Sequence, residues 1–114
     1  MTSSSANSDA LHKSRMQRLA DAENASASGM RHLYMHWSAL SPTTRKSHAE
    51  RHGKLFTAEQ VREFWSTPEN IEGCKCTILA LLVDGDNQPL IPDFIDNARE
   101  TYQKMSARGY DWSK

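Results

Sequence analysis

The chain has 114 residues, 38% of them apolar and 25% charged, with 14 basic and 14 acidic side chains and two cysteines. That length holds one domain with a modest core. The zero formal charge excludes a global field that would gather nucleic acid, two cysteines are too few for a disulfide scaffold, and the longest apolar run, Ile78 to Val83, is too short to cross a bilayer.

Residues 1–9 are small and polar and are expected to form a disordered lead-in. They carry no apolar core of a secretory signal, which points to the cytosol. Ser8 or Asp9 is placed to cap a helix with Leu11, Met16, Leu19 and Ala20 on a narrow stripe. Such a helix is marginal alone and needs a partner surface. The run Ala25-Ser26-Ala27-Ser28-Gly29 reads as a linker.

From Arg31 to Trp37 the pattern alternates, with Leu33, Met35 and Trp37 on one face and His32, Tyr34 and His36 on the other, predicting a half-buried strand. Ser41-Pro42 starts a turn, and Thr43 or Thr44 would cap a short helix that carries His48 and His52 and stops at Gly53. Thr57 with Gln60 forms a capping box for a helix bearing Val61, Phe64 and Trp65. The stretch from Cys74 to Asp84 is apolar on both faces and is predicted to be a central strand. A turn at Asp84-Gly85-Asp86-Asn87 leads to a short edge strand at Pro89 to Ile91. Asp93 to Arg108 predicts a helix with Phe94, Ile95, Ala98, Tyr102 and Met105 on one side, ended by Gly109. Beyond it lies an aromatic tail whose Tyr110 and Trp112 either fold back or bind a partner.

The candidate chemistry lies in the middle of the chain. In a helix, His48 and His52 would share one face, and in a strand Cys74 and Cys76 would put both sulfurs on one side of Lys75. Two imidazoles and two thiolates suit a tetrahedral zinc ion. The alternative is that the cysteines are buried simply as small hydrophobes. A Cys74–Cys76 disulfide is disfavoured, because neighbours two apart in a strand diverge from the required bond geometry. Between residues 45 and 54 stand Arg45, Lys46, Arg51 and Lys54 with only Glu50 opposing them, a local basic patch that would meet DNA phosphates and release them as salt rises. Its alternative is a solvated face. His48-x-x-x-His52 has Ala49 where the base of a zincin helix would stand, and Asp84 and Asp86 read as turn residues rather than a cation site.

Trp37, then Thr44-Arg45-Lys46-Ser47-His48, Gly53-Lys54-Leu55-Phe56 and Gly73-Cys74-Lys75-Cys76-Thr77 follow one another in an order and spacing that resembles the Mu F-like phage head-morphogenesis domain of minor capsid proteins. The resemblance runs from about Met30 to Leu90, and Arg45, His48, Cys74 and Cys76 match its most characteristic positions. The acidic residue that usually precedes the arginine is replaced within Ser41-Pro42-Thr43-Thr44. The resemblance implies a virion-associated protein that contacts capsid or portal proteins, with DNA binding in some members. Related domains in bacterial toxin proteins imply the alternative of a small metal-dependent nuclease using His48 or His52 with Arg45.

The expected architecture is a small α+β domain, three to four strands with flanking helices around a His48, His52, Cys74 and Cys76 zinc cluster. Its parts are a lead-in and helix over 1–28, a core over 29–92 and a C-terminal helix and tail over 93–114. The leading function is non-catalytic head morphogenesis through protein contacts. A regulatory module that binds a host or capsid protein through its aromatic tail is a third reading.

Overall fold

A computed structural model describes residues 3–26, 29 and 31–114, the side chains of residues 3–9 and 26 excepted. Helix α1 (Ser3–Ser26) precedes strand β1 (His32–Trp37), followed by α2 (Lys46–Ala49), β2 (Leu55–Phe56), α3 (Ala58–Phe64), α4 (Pro68–Ile71), β3 (Thr77–Leu82), α5 (Asp93–Ser106) and a 3-10 turn at Asp111–Ser113. Among the described residues, three strands form one antiparallel sheet in the order β2-β1-β3. The fold class is therefore the expected α+β.

The sheet order reverses two expectations. β1 is central and β3 lies at the edge. Tyr34, Met35 and His36 are all buried, so β1 is covered on both faces. The face with Tyr34 and His36 is covered by Leu19 and Ala22 of α1 and by Val61 and Trp65, and Ile78 joins it from β3. On the opposite face Met35 and Leu81 meet Ala98 of α5, with Leu55, Leu79 and Ile95 around them. The second apolar face of β3 is thinly covered: Leu82 is 37% exposed, and nearby Leu90, Ile91 and Phe94 are more so. The expected return strand is reduced to a Val83–Pro89 bridge and one Leu90 N–H bond to the Leu82 carbonyl.

Helix α1 begins at Ser3, earlier than the Ser8 or Asp9 cap expected, and so takes in most of the lead-in; residues 1 and 2 lie outside the described residues, as do 27 and 28 of the expected linker. Its buried positions are Arg15, Leu19 and Ala22, spaced as one helix face, while Leu11 and Ala20 of the expected stripe are exposed. The helix gains its partner surface on β3 and β1.

Other local signals appear as read. Thr57 Oγ1 accepts from the Gln60 N–H, and the Gln60 side chain accepts from the Thr57 N–H, closing the capping box of α3. Gly53 has φ +78°, and a Cβ there would come within 3.1 Å of the Ala98 methyl, so only glycine brings this turn against α5. Asp84 Oδ1 accepts from the N–H groups of Asp86 and Gln88, which makes the Asp84–Asn87 stretch a self-satisfied turn.

Candidate metal centre

Cys74, Lys75 and Cys76 form the extended lead-in to β3, and the two-residue period turns both sulfurs inward and leaves Lys75 exposed. The Cys76 N–H donates to Cys74 Sγ at 3.4 Å, which holds the pair in register. His48 arrives on the single turn of α2, where it is 2% exposed against 4% and 3% for the two cysteines. Its Nδ1 lies 3.3 Å from Cys74 Sγ and 3.7 Å from Cys76 Sγ. A tetrahedral zinc with one nitrogen and two sulfur ligands needs N···S edges of about 3.6 Å, from its usual bond lengths. The donor atoms of the three residues all lie within 4.8 Å of one another, so they fit a metal ion.

The two thiols are shifted in opposite directions. Cys74 is pushed far below the usual thiol range by a hydrogen bond from the Cys76 thiol, aided by His48 and the nearby Arg15 charge. Cys76 is pushed up by donating that hydrogen bond and by burial. The pair thus holds one proton, with thiolate character on Cys74, the form that ligates metals and attacks electrophiles. Arg15 is 1% exposed; its Nε donates to the Cys76 carbonyl at 2.6 Å and its Nη2 to the Cys74 carbonyl at 2.7 Å. Its guanidinium also lies over the Trp65 ring at 4.6 Å. A buried cation is thus fastened to the backbone that carries both sulfurs.

His48 is oriented from its other nitrogen. Nε2 lies 3.4 Å from Asn70 Oδ1 and 3.3 Å from Arg45 Nη1. With Nδ1 deprotonated to ligate a metal, Nε2 carries the hydrogen and Asn70 Oδ1 is its acceptor, the arrangement metal-binding histidines usually have. Asn70 Nδ2 donates to the Phe64 carbonyl at 2.8 Å, which fixes the amide so that its oxygen faces His48. Neither Arg15 nor Asn70 stands out in the sequence. Arg15 occurs at a helical spacing with Leu19 and Ala22 that apolar residues normally fill, and Asn70 looks like a loop residue.

His52, the fourth ligand expected from the sequence, is not part of this centre. Helix α2 ends after Ala49, and the chain turns at Gly53 so that the Gly53 N–H reaches the His36 carbonyl at 2.8 Å. This carries His52 toward α5, where Nδ1 accepts from the Ser38 N–H at 3.0 Å and Nε2 lies 3.1 Å from the Ala98 carbonyl. Both nitrogens are engaged, leaving no lone pair for a metal or a water.

Of the expected basic patch, Arg45, Lys46 and Lys54 are exposed and Arg51 is half-buried. Arg51 is sandwiched between the rings of Phe56 and Phe64 at 3.9 and 3.8 Å. Arg45 donates to the carbonyls of Glu69, at 2.5 Å, and Glu72, tying α2 to α4. Lys46 Nζ reaches the Lys114 carbonyl at 3.0 Å, and Lys54 is exposed. The tail folds back: Trp112 is 2% exposed against Leu40 and Ala49, its Nε1–H donates to the Ser41 carbonyl at 2.9 Å, and Tyr110 packs beside it. Trp112 is therefore a core residue and not a docking tip.

His36 is 1% exposed and stacks on Trp65, with ring centroids 5.5 Å apart. Burial, with the Arg51 charge adding to it, lowers its pKa to about 3 and keeps it neutral. Comparison of the chain with protein-family models, curated proteins and solved structures returns no match.

Proposed function

We propose that this chain is a phage or prophage head-morphogenesis module of the minor-capsid type, acting by protein contacts with capsid or portal proteins, and that a zinc ion on His48, Cys74 and Cys76 braces its middle. The observation that carries the reading is the convergence of distant motifs: Arg45 and His48 from one and Gly73 to Cys76 from another come together, with His48, Cys74 and Cys76 buried at their meeting point. Zinc is the ion that a set of two thiolates and an imidazole favours. It would fasten α2 to the lead-in of β3.

The cavity beside the centre is lined by no carboxylate among the described residues, so no acidic side chain stands there as a general base. The described residues include no helix long and apolar enough to cross a membrane. The reading implies the host cytoplasm and the virion as its compartments.

Elemental analysis of the purified chain is expected to give one zinc per molecule, and chelation to lower the melting temperature by roughly 10 °C or more. His48→Ala or Cys74→Ser should abolish both effects. Absence of metal in protein purified with zinc present would remove the zinc. The head-morphogenesis role is tested separately, by pull-down against the portal and capsid proteins encoded alongside the chain. Binding to neither would overturn that role and leave the metal centre standing.

A further inference from the structure

Three protein ligands leave one position of a tetrahedral ion to be filled. A cavity of about 160 Å³ adjoins the centre, and His48, Cys74 and Cys76 all line it. The rest of its wall is polar: Ser41, Thr43 and Thr44 supply hydroxyl groups, and Arg45 and Lys75 are its cations.

The wall has capacity for an anion. Ser41 Oγ lies 3.3 Å from Thr43 Oγ1 and 3.1 Å from Thr44 Oγ1, so three hydroxyl hydrogens serve two links and one is left to donate. Arg45 is largely occupied by the Glu69 and Glu72 carbonyls, leaving Lys75 as the uncommitted cation of the wall. A divalent ion with two thiolates is neutral overall, so the charge that attracts a further ligand comes from these side chains. One free hydroxyl hydrogen and one lysine match a single negative charge better than two. Carboxylate oxygens are ordinary zinc ligands, and the cavity admits a carboxylate but not a nucleotide. No carboxylate among the described residues lines it.

We propose that this cavity is a carboxylate socket, in which an acid group from another molecule completes the coordination sphere begun by His48, Cys74 and Cys76. The proposal rests on the metal reading above and deepens it, because an aspartate, glutamate or chain terminus of a partner protein would then dock on the metal itself. The ligand exchanged is a water or hydroxide on the open position, released to solvent as the carboxylate oxygen binds.

The test uses the full chain loaded with cobalt(II) in place of zinc, whose visible absorption reports its ligands. Acetate is expected to shift the bands saturably, and phosphate at equal concentration to shift them much less. Lys75→Gln, an exposed position, should weaken the acetate response roughly fivefold without changing cobalt stoichiometry. A blocked peptide with a single glutamate distinguishes the sources: binding tighter than acetate assigns the socket to a protein partner, and equal binding assigns it to a small free acid. If the chain takes up no cobalt, the metal reading itself fails. Cobalt uptake with a spectrum that neither acetate nor the peptide moves would overturn the socket alone, and a preference for phosphate would overturn its assignment to carboxylates.

Discussion

The two faces of the sheet are built from different materials. The face toward α5 is made of Met35, Leu81 and Ala98 with Trp37, Leu55, Leu79 and Ile95 around them, and its cohesion comes mainly from burial of apolar surface. The face toward α1 and α3 buries Arg15, His36 and His48 among Tyr34, Trp65 and the two cysteines. There, stability depends on partners for polar groups, since each one buried without compensation is costly. Arg15 Nε and Nη2, His48 and the two cysteines are matched to one another and to backbone carbonyls, while Arg15 Nη1, His36 Nε2 and Trp65 Nε1 are buried without a hydrogen-bond partner among the described residues, a cost this face carries.

Substituting one residue on each face separates the two mechanisms. Arg15→Met keeps the volume but strands the Cys74 and Cys76 carbonyls and removes the charge that favours the Cys74 thiolate. Urea unfolding is expected to show a loss of about 3–5 kcal/mol, with zinc affinity reduced as well. Met35→Ala, at a fully buried position, should cost about 2–4 kcal/mol by cavity formation and leave zinc affinity intact. Equal effects of the two on zinc affinity would mean that Arg15 is merely packing.

Acidification probes the buried histidines, His36 on the face toward α1 and His52 beside Ala98 of α5. His36 is held neutral to about pH 3 by burial, and burial also lowers His52. Below about pH 6.5 the unfolded chain takes up protons on these residues that the folded chain refuses, so stability falls as pH drops from about 6.5 toward 3. Measured in chelator, to keep metal loss out of the reading, the decline should be on the order of 5 kcal/mol. His36→Phe should flatten much of it. A decline unchanged in that variant would place the acid sensitivity elsewhere.

Much of this was legible locally. The capping box at Thr57 and Gln60, the turn at Asp84, the stop at Gly109 and the inward pairing of Cys74 and Cys76 are decided within a few residues, and the structure agrees with each. The sheet order was not, because it is decided by what packs on each face. Tyr34 and His36 read as a solvent side, yet α1, more than a dozen residues upstream in its packing face, covers them together with Trp65. β3 reads as central from its composition, but among the described residues its outer side pairs only through the Val83–Pro89 bridge and the Leu90 N–H bond to Leu82. The histidine pair misled for a similar reason. Helical spacing joins His48 and His52 only if α2 continues, and it ends at Ala49 because the following turn is recruited to β1 through His36 and Gly53.

The smallest expected effect concerns the third cluster, which touches the polar face from behind. Trp112 packs on Leu40 and on Ala49, the neighbour of His48 in α2, and its indole N–H donates to the Ser41 carbonyl. Trp112→Phe keeps most of the ring and deletes that donor. It is expected to cost about 1 kcal/mol in urea unfolding and to leave metal stoichiometry unchanged, because His48 is oriented by Asn70 rather than by the tail. If the variant lost its zinc, the tail would have to be counted among the groups that position His48. If instead it were fully stable, the Trp112 hydrogen bond to Ser41 would contribute nothing, and the tail would be held by packing against Leu40, Ala49, Tyr102 and Tyr110 and by the Lys46 bond to the Lys114 carbonyl.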